Sequence, residues 1–97
     1  MVVISKTIIN EFGMKHPDSI EALNDWWEKV KKADWATPND LKKSFNTADY
    51  VGNDRYVFDI KGNKYRLVAM IFFDIRTMYI RFVGTHAEYD DIDCENI

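Results

Sequence analysis

The stretch Arg55-Tyr56-Val57-Phe58-Asp59-Ile60-Lys61-Gly62-Asn63-Lys64-Tyr65-Arg66-Leu67-Val68-Ala69-Met70-Ile71-Phe72-Phe73 decides the fold. Its two runs, Tyr56 to Ile60 and Lys64 to Phe73, are rich in β-branched and aromatic residues, the composition of strands. Lys61-Gly62-Asn63 between them reads as a turn, because Gly and Asn accept the left-handed backbone of a tight hairpin. Alternation along the second run puts Lys64, Arg66, Val68, Met70 and Phe72 on one face. Tyr65, Leu67, Ala69, Ile71 and Phe73 fall on the other. That second face is apolar throughout and must meet a core, whereas the first begins with two cations and only then becomes apolar.

Downstream, Asp74 to Thr77 is a polar break before a third strand-like run, Met78 to Thr85. The three runs make an antiparallel meander. Upstream, Asn46 to Asn53 reads as polar and turn-like, and before it the pattern is helical. Thr37-Pro38 with Asp40 opens a short helix from Pro38 to Phe45, with Thr at the N-cap and Pro in the first turn. Ile20, Leu23, Trp27 and Val30, widened by Trp26, form a helical stripe from about Pro17 to Ser19 onward, and the tryptophans read as core residues. An earlier helix carries Ile8, Ile9 and Phe12, with Ser5 as N-cap, Gly13 inside and Pro17 as its stop. Val2 to Ile4 suit a short edge strand. Helices first and meander second predicts one α+β domain over residues 1–97, its helices packed on one face of a small antiparallel sheet.

At 97 residues, 46% hydrophobic and 14% aromatic, the chain has core material for one domain, and it contains no eighteen-residue apolar run that would span a membrane. The start Met1-Val2-Val3-Ile4-Ser5-Lys6 lacks the regions of a secretory signal, and Cys94 has no partner for a disulfide, so a reducing cytoplasm is expected. With Cys94, His16 and His86 as the only Cys and His residues, no histidine- or cysteine-rich zinc site can be built, and no cofactor is expected.

The net charge of −3 argues against nucleic acid only if the charges are evenly spread. They are not. Lys61, Lys64, Arg66, Arg76 and Arg81 against Asp74 give +4 over residues 61–81, and Glu88, Asp90, Asp91, Asp93 and Glu95 give −5 over the last ten. Arg66 and Arg81 on neighbouring strands are placed to converge on one phosphate through their forked donors. The alternative is that each pairs with a carboxylate such as Asp59 or one of the tail. At the exit of the third run, Gly84 permits a sharp departure, and His86 and Tyr89 share a face if the segment turns helical. An imidazole exchanges protons near neutral pH, and a Tyr beside cations is pushed toward phenolate. Arg81 and His86 fall on opposite faces of an ideal strand, so a bulge or turn at Gly84-Thr85 is needed to bring them together.

Asn63-Lys64-Tyr65-Arg66-Leu67-Val68 and Tyr79-Ile80-Arg81-Phe82-Val83-Gly84-Thr85-His86-Ala87-Glu88-Tyr89-Asp90 resemble the HigB family of toxins from type II toxin–antitoxin systems, relatives of RelE. The likeness spans roughly the last 60 residues, and Gly84 to Asp90 is its most specific part. The resemblance implies a RelE-like fold, similar to microbial ribonucleases, and an mRNA interferase of the cytoplasm that cuts mRNA on the translating ribosome. It implies a partner too, a HigA-type antitoxin with a helix-turn-helix domain. The expected chemistry is metal-free attack of a ribose 2′-OH on the adjacent phosphorus, with Arg66 and Arg81 on the phosphate and His86 in acid–base work. Tyr89 is the second proton-transfer or orienting group, and Lys64 an alternative base. Lys42, Lys43 and Lys61 are expected to touch RNA phosphates. The competing reading is a non-catalytic RNA-, ribosome- or partner-binding module using the same basic face, with the acidic tail folded over the cations.

Overall fold

The sheet is built around the hairpin of residues 55–73, and it has five strands rather than three. A computed structural model describes all residues 1–97. In chain order they form β1 (Val2–Ile4), α1 (Lys6–Lys15), α2 (Ile20–Lys32), α3 (Pro38–Ser44), β2 (Asp49–Gly52), β3 (Arg55–Ile60), β4 (Tyr65–Phe72), β5 (Thr77–Thr85) and α4 (His86–Asp90). Single 3₁₀ turns cover Pro17–Ser19 and Phe73–Ile75. The strand order is β1-β5-β4-β3-β2, antiparallel except where β1 runs parallel to β5 with Val2 opposite Thr77.

Two corrections to the sequence reading concern the sheet. It is mixed rather than purely antiparallel, because the edge strand Val2–Ile4 pairs in parallel with the last strand. The segment Asn46 to Asn53, read as turn, contains β2. Asn53 and Asp54 both take left-handed backbone, φ 48° and 63°, the pattern of the tight hairpin turn that joins β2 to β3. The turn between β3 and β4 uses the same device at Lys61 and Gly62, φ 54° and 68°.

The helices pack on one face of this sheet. Their core cluster joins Ile9, Phe12, Leu23, Trp26 and Val30 to Tyr56, Phe58, Ile60, Tyr65, Leu67, Ala69, Ile71, Met78 and Ile80. The apolar face of β4 is therefore the helix face, as its alternation predicts. Trp26 and Trp35 are buried, while Trp27 is half-buried under the Lys6 ammonium. The inner stripe of α2 thus runs Leu23-Trp26-Val30, one position away from the expected Trp27 line, and Ile20 is exposed. Gly13 matters for the seating of α1 on the start of α2: a Cβ there would lie 3.0 Å from Ile20 Cγ1. Ser5 stands at the N-cap of α1 in left-handed backbone, φ 79°, without a capping bond from its side chain. Thr37 does cap α3, its hydroxyl accepting from the Asp40 amide. No helix is long and apolar enough to cross a membrane.

Candidate active site

The face of β4 turned away from the helices carries the candidate chemistry. Register places Asp59 of β3 and Gly84 of β5 on either side of Arg66, with Val57, Val68 and Phe82 one pair further along. Val57 and Val68 are buried although they lie outside the helix-side cluster, so this face is covered as well. Its cover starts at α4, which packs on β4 and β5. Thr85 and Glu88 close a capping box at the start of α4, Thr85 Oγ1 accepting from the Glu88 amide and Glu88 Oε1 from the Thr85 amide at 2.8 Å. The Thr85 amide bond holds the Glu88 carboxyl below its ordinary range. This cap turns the chain sharply after β5 and sets His86 and Tyr89 on one short helix.

Arg66 is clamped from two sides. Its guanidinium forms an ion pair with Asp59, both about one-fifth exposed, and lies over the Tyr89 ring at 5.7 Å from the centroid. Its Nε is a buried donor without an acceptor. The pairing with Asp59 is the alternative that the residues themselves allowed, and it leaves the cation in place while using only part of its fork. Gly84 opposite Arg66 is needed for space, because a Cβ there would run into the Phe82 ring. Tyr89 donates to Cys94 Sγ at 3.8 Å, and burial, followed by this contact, raises the phenol's pKa even though Arg66 pulls it down. The expected drift toward phenolate is reversed: Tyr89 keeps its proton at neutral pH.

His86 is half exposed, with Nδ1 3.1 Å from Asp90 Oδ2 one turn on and Nε2 unpartnered. In the tautomer that donates from Nδ1 to Asp90, Nε2 is the acceptor. Arg81 is exposed and makes no ion pair or hydrogen bond. It is the extra residue of a bulge in β5, where Val68 faces Phe82 and Ala69 faces Ile80. The irregularity that parity demanded therefore sits at Arg81 itself, not at Gly84-Thr85.

The lysines separate from Arg66. Lys64 lies in the turn, not the strand, and its ammonium binds Asp18 beside the Tyr65 hydroxyl, while Lys61 joins the same carboxylate at 3.5 Å. Hydrogen bonds from Lys64 and Tyr65 hold the Asp18 carboxyl well below the usual range, and the bond to Asp18 raises Lys64 in turn. Lys42 is tied to the Ala48 carbonyl at 2.6 Å and to Asp49 at 3.7 Å. Lys43 on α3 is exposed and makes neither bond nor ion pair. The structure thus gathers Arg66, Tyr89 and the α4 histidine around one end of the sheet and sends Lys61 and Lys64 to the helix side. Sequence reasoning did not single out Arg55, which parity with Asp59 puts on the Arg66 face, nor the contact of Cys94 with Tyr89.

A family model described as HigB toxin, RelE-like toxic component of a toxin–antitoxin system, matches residues 19–92. The chain is 32% identical over 94 residues, 95% of its length and 91% of the relative's, to a protein of Escherichia coli O6:H1 strain CFT073 named mRNA interferase HigB. It is 34% identical over 93 residues, 93% of its length and 88% of the relative's, to the mRNA interferase toxin HigB of Escherichia coli K12. The mRNA interferase HigB of Shigella flexneri is similar to the same degree. The match over most of the chain and the identity over nearly all of it place the chain in the HigB toxin family, the RelE-like toxic components of toxin–antitoxin systems.

Proposed function

We propose that this toxin is an mRNA interferase, an endoribonuclease that breaks the RNA backbone with Arg66 on the phosphate and the α4 residues moving protons. The observation that carries the site assignment is Arg66 itself: it is held by Asp59 and Tyr89 while its Nε has no acceptor. A buried donor left unmatched is costly, and an anionic phosphate oxygen is the partner a guanidinium fork takes best. The relatives' name, mRNA interferase, supplies the substrate.

In the step that follows, a ribose 2′ oxygen attacks the adjacent phosphorus and the bond from phosphorus to the 5′ oxygen breaks. The products are a 2′,3′-cyclic phosphate and a 5′-OH. His86 Nε2, free to accept while Nδ1 is held by Asp90, takes the 2′ proton, and Tyr89, still protonated, donates its proton to the leaving 5′ oxygen. Arg66 stabilises the charge that builds on the phosphate oxygens. Arg81, unpaired at the bulge, serves in this reading as a second, outer phosphate contact. Lys64, held protonated on Asp18, does not suit the role of base. The antitoxin partner is of the HigA, helix-turn-helix type, and cleavage takes place on the ribosome, with Lys43 the basic side chain best free to meet rRNA phosphates.

Mapping of 5′ ends on RNA incubated with the purified chain and translating ribosomes tests this. New 5′-OH ends are expected with the wild-type chain, and are lost in Arg66→Ala and His86→Ala proteins that keep their fold by circular dichroism. Salt-sensitive binding with intact RNA would sink the catalytic reading in favour of a binding module.

A further inference from the structure

The last residues of the chain lie on the Arg66 face. Arg55 Nε and Nη2 both donate to the Ile97 backbone oxygen, at 3.1 and 2.6 Å, and Nη1 donates to the Asn53 carbonyl at 2.8 Å. Asn53 Nδ2 reaches the Glu95 carbonyl at 3.3 Å, and the open side of Gly52, φ 100°, is filled by the Glu95 side chain. With the Tyr89 contact to Cys94, three positions of the tail, Cys94, Glu95 and Ile97, are pinned across β2, β3 and α4. Apart from the Arg55 guanidinium, these holds are an exposed amide, a thiol and a side-chain packing contact.

Arg55 is therefore a strand cation with no side-chain carboxylate, and all of its recorded acceptors are backbone oxygens. It shares a face with Arg66, since Arg55 pairs with Met70 and Asp59 with Arg66. Four residues of strand separate the two positions, about 13 Å at the usual rise. No single phosphate spans that gap, but the backbone of an oligonucleotide does. Around Arg55 the tail brings carboxylates that repel such a ligand while they stay, and a phosphate offers the guanidinium several anionic acceptors in one planar fork geometry in place of single main-chain oxygens.

We propose that Arg55 is a second phosphate-binding position for RNA on the Arg66 face, and that residues 92–97 occupy it in the free chain and are displaced when RNA binds. The proposal rests on the ribonuclease reading for its substrate. It makes the acidic tail an internal competitor rather than a solvated appendage.

The test is fluorescence anisotropy with a short single-stranded RNA whose 2′ oxygens are methylated, so that binding is read without cleavage. The full-length proteins are wild type, Arg55→Ala, Arg55→Lys, a chain whose residues 92–97 are replaced by Gly and Ser at equal length, and that chain carrying Arg55→Ala. Arg55→Ala should weaken binding about tenfold, the size of one charge-assisted contact. It should also reduce the salt slope by about 1, while Arg55→Lys keeps the slope. The Gly/Ser tail should tighten binding several-fold, and this gain should vanish in the Arg55→Ala background. Melting curves confirm folding; should Arg55→Ala melt below the assay temperature, the Arg55→Lys slope and the tail replacement decide. Unchanged affinity and slope on loss of Arg55, or an equal gain from the new tail in both backgrounds, would overturn the proposal. Cleavage of the unmethylated RNA is read in parallel: a chain that binds through Arg55 but never cuts refutes the ribonuclease reading and leaves Arg55 standing.

Discussion

The two faces of β4 solve opposite problems with the same strand. On one, Tyr65, Leu67, Ala69 and Ile71 are buried under three helices, and the sole polar group, the Tyr65 hydroxyl, is bonded to Asp18. On the other, Arg66 is kept among apolar neighbours, Val57, Val68 and the Phe82 ring, beneath a five-residue helix whose Tyr89 lies over it and is itself touched by Cys94 of the tail. The helix face derives stability from shape and area. The Arg66 face keeps a charge in place and a cover that few bonds retain. That difference teaches where the molecule can open: the helix face cannot be uncovered without unfolding, whereas the cover of the other is a five-residue helix and a tail that contribute nothing to the helix-side core.

Substitutions that exchange the two kinds of loss break or sharpen this contrast. The largest effect is expected for Arg66→Ala, which should lower the rate of RNA cleavage about 10²- to 10³-fold, the usual result of removing one transition-state donor. Single-turnover assays on folded protein measure it, and a loss under tenfold would move the chemistry elsewhere. Next comes Leu67→Ala, one residue along and on the other face: it should cost about 2–5 kcal/mol of stability in urea titrations while the folded fraction still cleaves. Asp18→Asn should have a smaller, pH-dependent effect. Because Asp18 binds a proton more weakly folded than unfolded, its stabilisation is full above the unfolded value, about pH 4. It is lost as pH falls below that, so the variant should melt lower at pH 7 and converge with wild type in acid. Smallest of all, Lys64→Ala should change cleavage no more than about threefold, since an exposed ion pair on the helix side contributes little. A large loss would return Lys64 to the site.

Much of this was legible because it is local. Alternation in Tyr65 to Phe73 separates the two faces, Thr37-Pro38 marks α3, and Gly84 to Asp90 marks both the exit from the sheet and the family. What escaped depends on contacts remote in sequence. Asp49-Tyr50-Val51-Gly52 has one β-branched residue between polar flanks, and becomes a strand only because β3 supplies its ladder. The bulge at Arg81 leaves no mark in the pattern Tyr79-Ile80-Arg81-Phe82-Val83, which alternates no differently from a regular strand. Lys61 and Lys64 look like part of the Arg66 charge until Asp18, more than forty residues away, claims them. The tail's charge suggests a fold over the cations without saying which, and only Arg55 and Tyr89 show where it lies.

The parallel pairing of β1 with β5 also reaches into the birth of the molecule. Val2 leaves the ribosome early, yet its partner Thr77 is 75 residues behind it, a delay of about 4–15 s at ordinary rates of synthesis. Until then β4 lacks one neighbour and β1 has nothing to pair with. A nascent chain in which β5 has not yet emerged therefore cannot assemble the finished sheet. Closing so long a loop also makes folding slower than in a fold built from local contacts alone.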